Sequence, residues 1–213
     1  MIRNIVFDMG NVLRDYNPAL SVAAFVADPR DAALIEAQVF GSPEWPRLDR
    51  GTLTYPEALE IWKSRLPRRL HSQLCQVVAH WHEYMPEIPG MAELAGGLKA
   101  AGYRLYLLSN ASVRYTVFKE SLTALRFMDG AVISAFYGCI KPEKEIYQIL
   151  FDTYQIRPQE SFFIDDSAAN IAAGEALGMK GHVFDQRHIP ALVAALLAAG
   201  VRVPEAVRHG LSA

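Results

Sequence analysis

Six side chains in this sequence are of the types that handle phosphate and hard metal ions when they are brought together: Asp8, Ser109, Asn110, Lys141, Asp165 and Asp166. Each comes at or soon after a short apolar run. Ile5–Phe7 ends in Asp8, Leu105–Leu108 ends in Ser109 and Asn110, and Phe162–Ile164 ends in the Asp165–Asp166 pair, while Lys141 follows Ala131–Ser134 in the stretch GCIKPEKEIY. In an open parallel sheet, ligands bind beyond the carboxyl ends of the strands. Three carboxylates gathered there repel one another unless a cation compensates them, and Mg2+ suits such a set because it takes a few oxygen ligands and leaves room for a phosphate oxygen. Ser109 and Lys141 would hold the remaining phosphate oxygens. An Asp carboxylate beside a metal-bound phosphate is a nucleophile, so the set implies phosphoryl transfer through an aspartyl phosphate.

The elements that must position these residues follow from the apolar periodicity. Five runs fit buried strands: the four already given and His182–Phe184. Helix-period stretches at 91–101, 143–154 and 170–177 alternate with them, which predicts an α/β fold with a Rossmann-like parallel sheet covered by helices. From Asp15 to about Pro86 no strand candidate occurs. That segment predicts four helices, at 18–28, 30–40, 55–65 and 68–85, an all-helical module inserted after the first strand. Thr54 and Glu57 form a capping box for the third, and Leu70, Leu74, Val77, Trp81 and Tyr84 line one face of the fourth. The expected division is a hydrolase core at 1–14 and 87–213 and a helical cap at 15–86.

Bulk properties exclude several classes. A formal charge of −2, with lysines and arginines scattered among acids, gives no footprint for nucleic acid. Cys75 and Cys139 lack the paired spacing of a zinc site and predict free thiols in a reducing compartment. The sequence enters a strand-like run at Ile2 without a charged leader and cleavage site, which predicts a cytoplasmic protein. The apolar stretch 191–201 is far shorter than the roughly 20 residues that span a bilayer and predicts a core-facing helix.

The stretches IVFDMGNVL, LLSN, IKPE and FFIDDSAANIAAGEALGM, in that order and spacing, resemble the four motifs of the haloacid dehalogenase-like hydrolase superfamily. The helical insertion resembles that superfamily's C1 cap, so the resemblance covers the whole chain. It implies a Mg2+-dependent phosphatase with Asp8 as nucleophile and metal ligand. Ser109 and Asn110 would bind phosphate, Lys141 would neutralise charge, and Asp165, Asp166 and the backbone carbonyl of Gly10 would lie around the metal. The substrate would be a small phosphorylated metabolite, and the protein a monomer or small homo-oligomer. One position departs from the family pattern. Phosphatases of this superfamily usually carry a second Asp two residues after the nucleophile, to protonate the leaving group and activate water; here that residue is Gly10. The DxGN form resembles a group that includes sugar-1-phosphate phosphatases, which makes sugar phosphates the first expectation.

General acid–base catalysis is worth about 10²- to 10⁴-fold, so its carrier has to be sought elsewhere. The candidates in the insertion are Asp49, Arg50, His80 and His82. Asp49 and Arg50 stand in the loop-like stretch RLDRGTL, where a substrate contact and a surface ion pair are equal readings. The two histidines flank Trp81 and fit the wet side of a helix. Asp15 either meets substrate or caps a turn, and Trp45, Trp62 and Cys139 read as packing or loop residues. Two rival functions stand beside the phosphatase. One is a 2-haloacid dehalogenase, against which the adjacent acids argue because attack on carbon needs no metal. The other is a phosphate-binding pseudoenzyme, motivated by Gly10.

Overall fold

The computed structural model describes residues 1–186, 188–205 and 207. The architecture is α/β. Five parallel strands, β1 (Asn4–Phe7), β2 (Arg104–Ser109), β3 (Gly130–Ile133), β4 (Ser161–Asp165) and β5 (Lys180–Val183), form one Rossmann-like sheet in the order β3-β2-β1-β4-β5. Side chains alternate between its faces. Ile5, Phe7, Leu107 and Ile164 face one apolar layer, and Val6, Leu108, Val132 and Phe163 face the other. Cover on both sides is why β1 and β4 carry the unbroken apolar runs Ile5–Phe7 and Phe162–Ile164 rather than an apolar residue at every second position. The fifth strand begins two residues earlier than the run His182–Phe184 suggested, because an edge strand needs less burial; its residues are only partly covered. Ser134, expected to end the third strand, instead opens a turn at Ser134–Phe136.

Between β1 and the rest of the sheet the chain runs through α1 (Pro18–Ala23), α2 (Pro29–Val39), α3 (Glu44–Arg50), α4 (Tyr55–Arg65) and α5 (His71–His80) before returning at α6 (Met91–Ala100). The outgoing and returning chains pair as a short neck: the Asp15 N–H donates to the Pro86 carbonyl at 2.8 Å and the Ile88 N–H to the Leu13 carbonyl at 3.0 Å. The Thr54–Glu57 capping box forms. The remaining helices, α7 (Tyr115–Phe118), α8 (Lys144–Tyr154), α9 (Ala168–Ala176) and α10 (Ile189–Ala198), cover the sheet and its upper edge. One apolar cluster runs without a break from Val22, Ile35 and Trp62 of the insertion to Ile5 and Leu105 of the sheet. No helix of the described residues is long and apolar enough to cross a membrane.

Several expectations in the insertion need correction: the helix expected over 18–28 ends at Ala23. The segment 44–50 is helical, not a loop. Pro46 lies in its first turn, where a missing N–H costs nothing, and Gly51 at φ 76° ends it, its Cα so close to the Ala135 carbonyl that a Cβ would stand 2.2 Å from the oxygen. The predicted helix 68–85 loses α geometry after His80 and finishes as the tighter turn Trp81–Tyr84. That change of pitch carries Tyr84 off the apolar face to 40% exposure. It also turns His82 inward, against the Phe118 ring at 5.5 Å, rather than onto the wet side.

Candidate active site

β1 stands at the centre of the sheet, where successive strands on one side give way to β4 and β5 on the other, and such a reversal opens a crevice above the strand ends. Asp8 is the first residue past β1, and its N–H donates to the Ile164 carbonyl at 2.9 Å, which sets it beside Asp165 at the end of β4. Lys141 enters from the loop after β3. Its Nζ lies 2.8 Å from Asp8 Oδ1 and 2.6 Å from Asp165 Oδ2, and all three side chains are buried. Ionised groups survive burial only when paired and hydrogen-bonded, and this trio meets that condition.

The surrounding polar groups hold the trio in place. Asp165 Oδ1 accepts from the Ser167 N–H at 2.8 Å and from Asn170 Nδ2 at 2.9 Å. Asn110 grips the Lys141 backbone from both sides, donating from Nδ2 to its carbonyl at 2.9 Å and accepting its N–H on Oδ1 at 2.7 Å. The Asn110 side chain is therefore a clamp on the lysine loop, which leaves it little to offer a phosphate. Ser109 ends β2 and is 1% exposed, beneath the cleft rather than on its open lining.

Asp166 points to solvent and accepts from Asn11 Nδ2 at 2.8 Å. Asn11 takes a left-handed backbone, φ 54°, which Asn tolerates, and accepts the Tyr16 N–H on its Oδ1. One oxygen from each of Asp8, Asp165 and Asp166 lies within 4.8 Å of the others. Set against the single Lys141 ammonium, three carboxylates leave two negative charges, and an all-oxygen donor set with that imbalance fits a hard divalent cation. Burial pushes the Asp8 carboxyl up to about 6, with Lys141 pulling against it and the Asp165 charge adding to it. Burial works to lower the Lys141 ammonium, but Asp8 and Asp165 together carry it above its ordinary value.

Above this floor the insertion closes a cleft of about 290 Å³. The Gly10 backbone is on its lining, and a Cβ there would meet only Tyr16 Cβ at 3.8 Å, so lack of space does not account for the missing acid. Asp49 lies on α3 and lines the same cleft, partly buried. Burial pushes its carboxyl up to about 8, eased by a hydrogen bond from the Ser112 N–H and raised further by the Asp8 charge. Arg50 turns away from the cleft and pairs through both terminal nitrogens with Glu143 of the core. Asp15 sits in an adjoining depression with Asn17 and Asp185, which shares Asn11, Tyr16 and Asp166 with the cleft. His80 pairs with Glu83 at the surface, and neither histidine lines the cleft.

Sequence reasoning missed two further groups. Arg14 is buried beside the cleft, with Nε and Nη2 donating to the Met85 carbonyl at 3.0 and 2.6 Å and Nη2 also to the His82 carbonyl at 2.6 Å, and with its guanidinium 5.0 Å from the Phe118 ring centre. Trp45, read as packing, forms part of the cleft wall with Phe40, Trp81 and Phe118. Arg14 stands six residues after Asp8, directly behind the first motif, and carried no spacing signal, while the aromatic residues come from separate segments that only the fold brings together.

Comparison with known proteins bears on the family and the fold. A family model described as haloacid dehalogenase-like hydrolase matches residues 2–178. The chain is 25% identical to a sesquiterpene phosphatase of Aspergillus oryzae, over 84% of this chain and 89% of the relative. It is 26% identical to the D-ribitol-5-phosphate phosphatase of Bacteroides thetaiotaomicron, over 84% of this chain and 90% of that protein. Among solved structures, a HAD-like family hydrolase from Porphyromonas gingivalis superposes with a TM-score of 0.70 at 27% identity, covering 92% of this chain and 98% of the other. A HAD-family enzyme of Bacteroides thetaiotaomicron, solved in complex with magnesium and inorganic phosphate, shares the fold at a TM-score of 0.68 and 19% identity, over 87% and 95% of the two chains.

Proposed function

The chain belongs to the haloacid dehalogenase-like hydrolases, and from that membership we propose that it is a magnesium-dependent phosphatase that moves the phosphoryl group of a small metabolite onto Asp8 and then onto water. The observation that carries the reading is the Lys141 ammonium bridging Asp8 and Asp165 at the ends of two adjacent strands, with Asp166 completing a three-carboxylate cluster. Asp8, Asp165, Asp166 and the Gly10 carbonyl would hold Mg2+, which when bound supplies positive charge to the phosphate oxygens. Lys141 keeps Asp8 ionised and aimed, and after transfer its charge offsets that of the phosphoryl group. Ser109 and the backbone at Asn110 complete the phosphate site, and the Asn110 side chain fixes the lysine loop. Residues 15–86 act as a cap that excludes water while the ester is cleaved.

Asp49 takes the place of the acid absent at Gly10. A cleft-lining carboxyl held near 8 carries a proton at neutral pH, can deliver it to the departing oxygen, and as carboxylate can then accept one from the attacking water. The two named phosphatases act on a sesquiterpene and on ribitol phosphate, alcohols of opposite polarity, so the relatives leave the alcohol half open. Sugar phosphates remain the reading that the DxGN resemblance supports. The test is phosphate release from p-nitrophenyl phosphate with Mg2+ and with chelator, by the wild type and Asp8→Asn. Release that needs both the metal and Asp8 supports the reading; undiminished release by Asp8→Asn contradicts it.

A further inference from the structure

We infer that the alcohol this cleft receives is a hydrocarbon one, an aromatic ring or a short isoprenoid chain, seated against the wall formed by Phe40, Trp45, Trp81 and Phe118. The inference rests on the phosphatase reading and departs from the sugar-phosphate expectation that the sequence resemblance raised. The wall is continuous: ring centroids are 4.6 Å apart for Phe40–Trp45, 5.2 Å for Trp45–Trp81 and 5.9 Å for Trp81–Phe118. Its residues come from the end of α2, from α3, from the turn after α5 and from α7, so four segments converge to present aromatic surface to the same cleft as Asp8. Aromatic side chains offer much apolar area at little conformational cost, and they favour flat or branched hydrocarbon partners.

Most of the polar groups on that side are already engaged, although the buried Nε1 of Trp81 is a donor without a hydrogen-bond partner among the described residues. Arg14 gives Nε and Nη2 to backbone carbonyls, and only its Nη1 lacks a hydrogen-bond partner among the described residues. The Ser112 hydroxyl pairs with Tyr55 at 2.9 Å, and Asn11 is held by Asp166 and Tyr16. A polyol would bury several hydroxyls here with few partners, and each buried hydroxyl without one weakens binding. A hydrocarbon alcohol asks for one proton at its bridging oxygen, which Asp49 can supply. Size agrees: about 290 Å³ lies at the small end of organic-ligand sites, enough for a phosphate with one ring or a short chain and too little for a nucleotide.

The experiment compares kcat/KM with Mg2+ for geranyl monophosphate and 2-phenylethyl phosphate against glucose 1-phosphate and ribitol 5-phosphate. The anomeric leaving group of glucose 1-phosphate is the more acidic, so a preference for the hydrocarbon esters opposes intrinsic reactivity. The expected preference is about 100-fold, within what apolar pocket contacts provide, and Trp45→Ala should shrink it to roughly tenfold, mainly through KM. Should Trp45→Ala fail to fold in a thermal melt, Phe40→Leu, at a half-buried position, should shrink the preference in the same direction. Equal or faster turnover of the sugar phosphates, dependent on Asp8 and Mg2+, overturns the substrate class and leaves the phosphatase reading standing. If no ester is turned over, the phosphatase reading fails, and tryptophan-fluorescence titration of Asp8→Asn with geranyl monophosphate and glucose 1-phosphate decides the wall: tighter geranyl binding supports it, equal binding overturns it.

Discussion

The floor of the cleft and its roof are built from opposite materials. The floor, at the ends of β1, β2 and β4, is charged and cross-bonded: Lys141 touches two carboxylates, Asp165 uses both oxygens, and Asn110 grips the lysine loop at two points. The roof is aromatic, packed rather than bonded, with Asp49 as its one cleft-lining carboxyl among the described residues. A charged network admits few arrangements, because removing one partner strands a buried charge. An apolar wall changes shape with each substitution while the fold survives. On the reading proposed above, the nucleophile and metal site belong to the sheet, while the acid–base carboxyl of Asp49 and most of the aromatic wall belong to the insertion, so substitutions in the two regions should differ in kind as well as in size.

Five substitutions sharpen that contrast, beginning with the largest effect. Asp8→Asn should lower phosphate release by about 10⁴-fold or more, as removal of a nucleophile does, while circular dichroism shows an unchanged fold. Lys141→Met should cost about 10³-fold in kcat and about 3 kcal/mol of stability at pH 7, because it leaves Asp8 and Asp165 facing each other unpaired; denaturant unfolding and steady-state rates check the two parts.

Asp49→Asn should lower kcat by about 10²- to 10³-fold, with Gly10→Asp restoring part of it, since a Cβ fits at position 10. In the wild type, kcat should fall as pH rises through about 8 and Asp49 loses its proton, and Asp49→Asn should lack that limb. Stability carries the opposite sign. A carboxyl whose folded pKa lies above its unfolded value is without penalty at low pH and costs stability as pH climbs from the ordinary carboxylate range through about 8, so Asp49→Asn should raise the melting temperature at pH 8 and leave it unchanged near pH 4. The smallest effect belongs to Glu143→Gln, which weakens the half-exposed Arg50 pair joining α3 to the core and should shift stability by less than about 1 kcal/mol.

How far the sequence could be read follows the same division. Strand ends announce themselves locally, since each is an apolar run that stops at a polar residue, so the positions of Asp8, Ser109, Asp165 and Asp166 were legible as neighbours on one edge. Lys141 was legible by its place between the second and fourth motifs, but its double contact with Asp8 and Asp165 depends on the Asn110 clamp, which nothing in the local sequence announces. The roof was hardly legible. Phe40, Trp45, Trp81 and Phe118 are indistinguishable in sequence from core residues, and Pro43 and Pro46 disguised α3 as a loop although Gly51 marked its end. Tyr84 and His82 were placed on the wrong sides because one turn of tighter helix after His80 changes the angle at which every later residue projects.

The most direct measurement is mass spectrometry of the protein quenched in acid during turnover with Mg2+ and excess substrate, followed by peptide mapping. A phosphoryl group on the peptide that carries Asp8, absent when chelator is added, is the result expected; steady phosphate release with no adduct on Asp8 would contradict covalent transfer through that carboxylate.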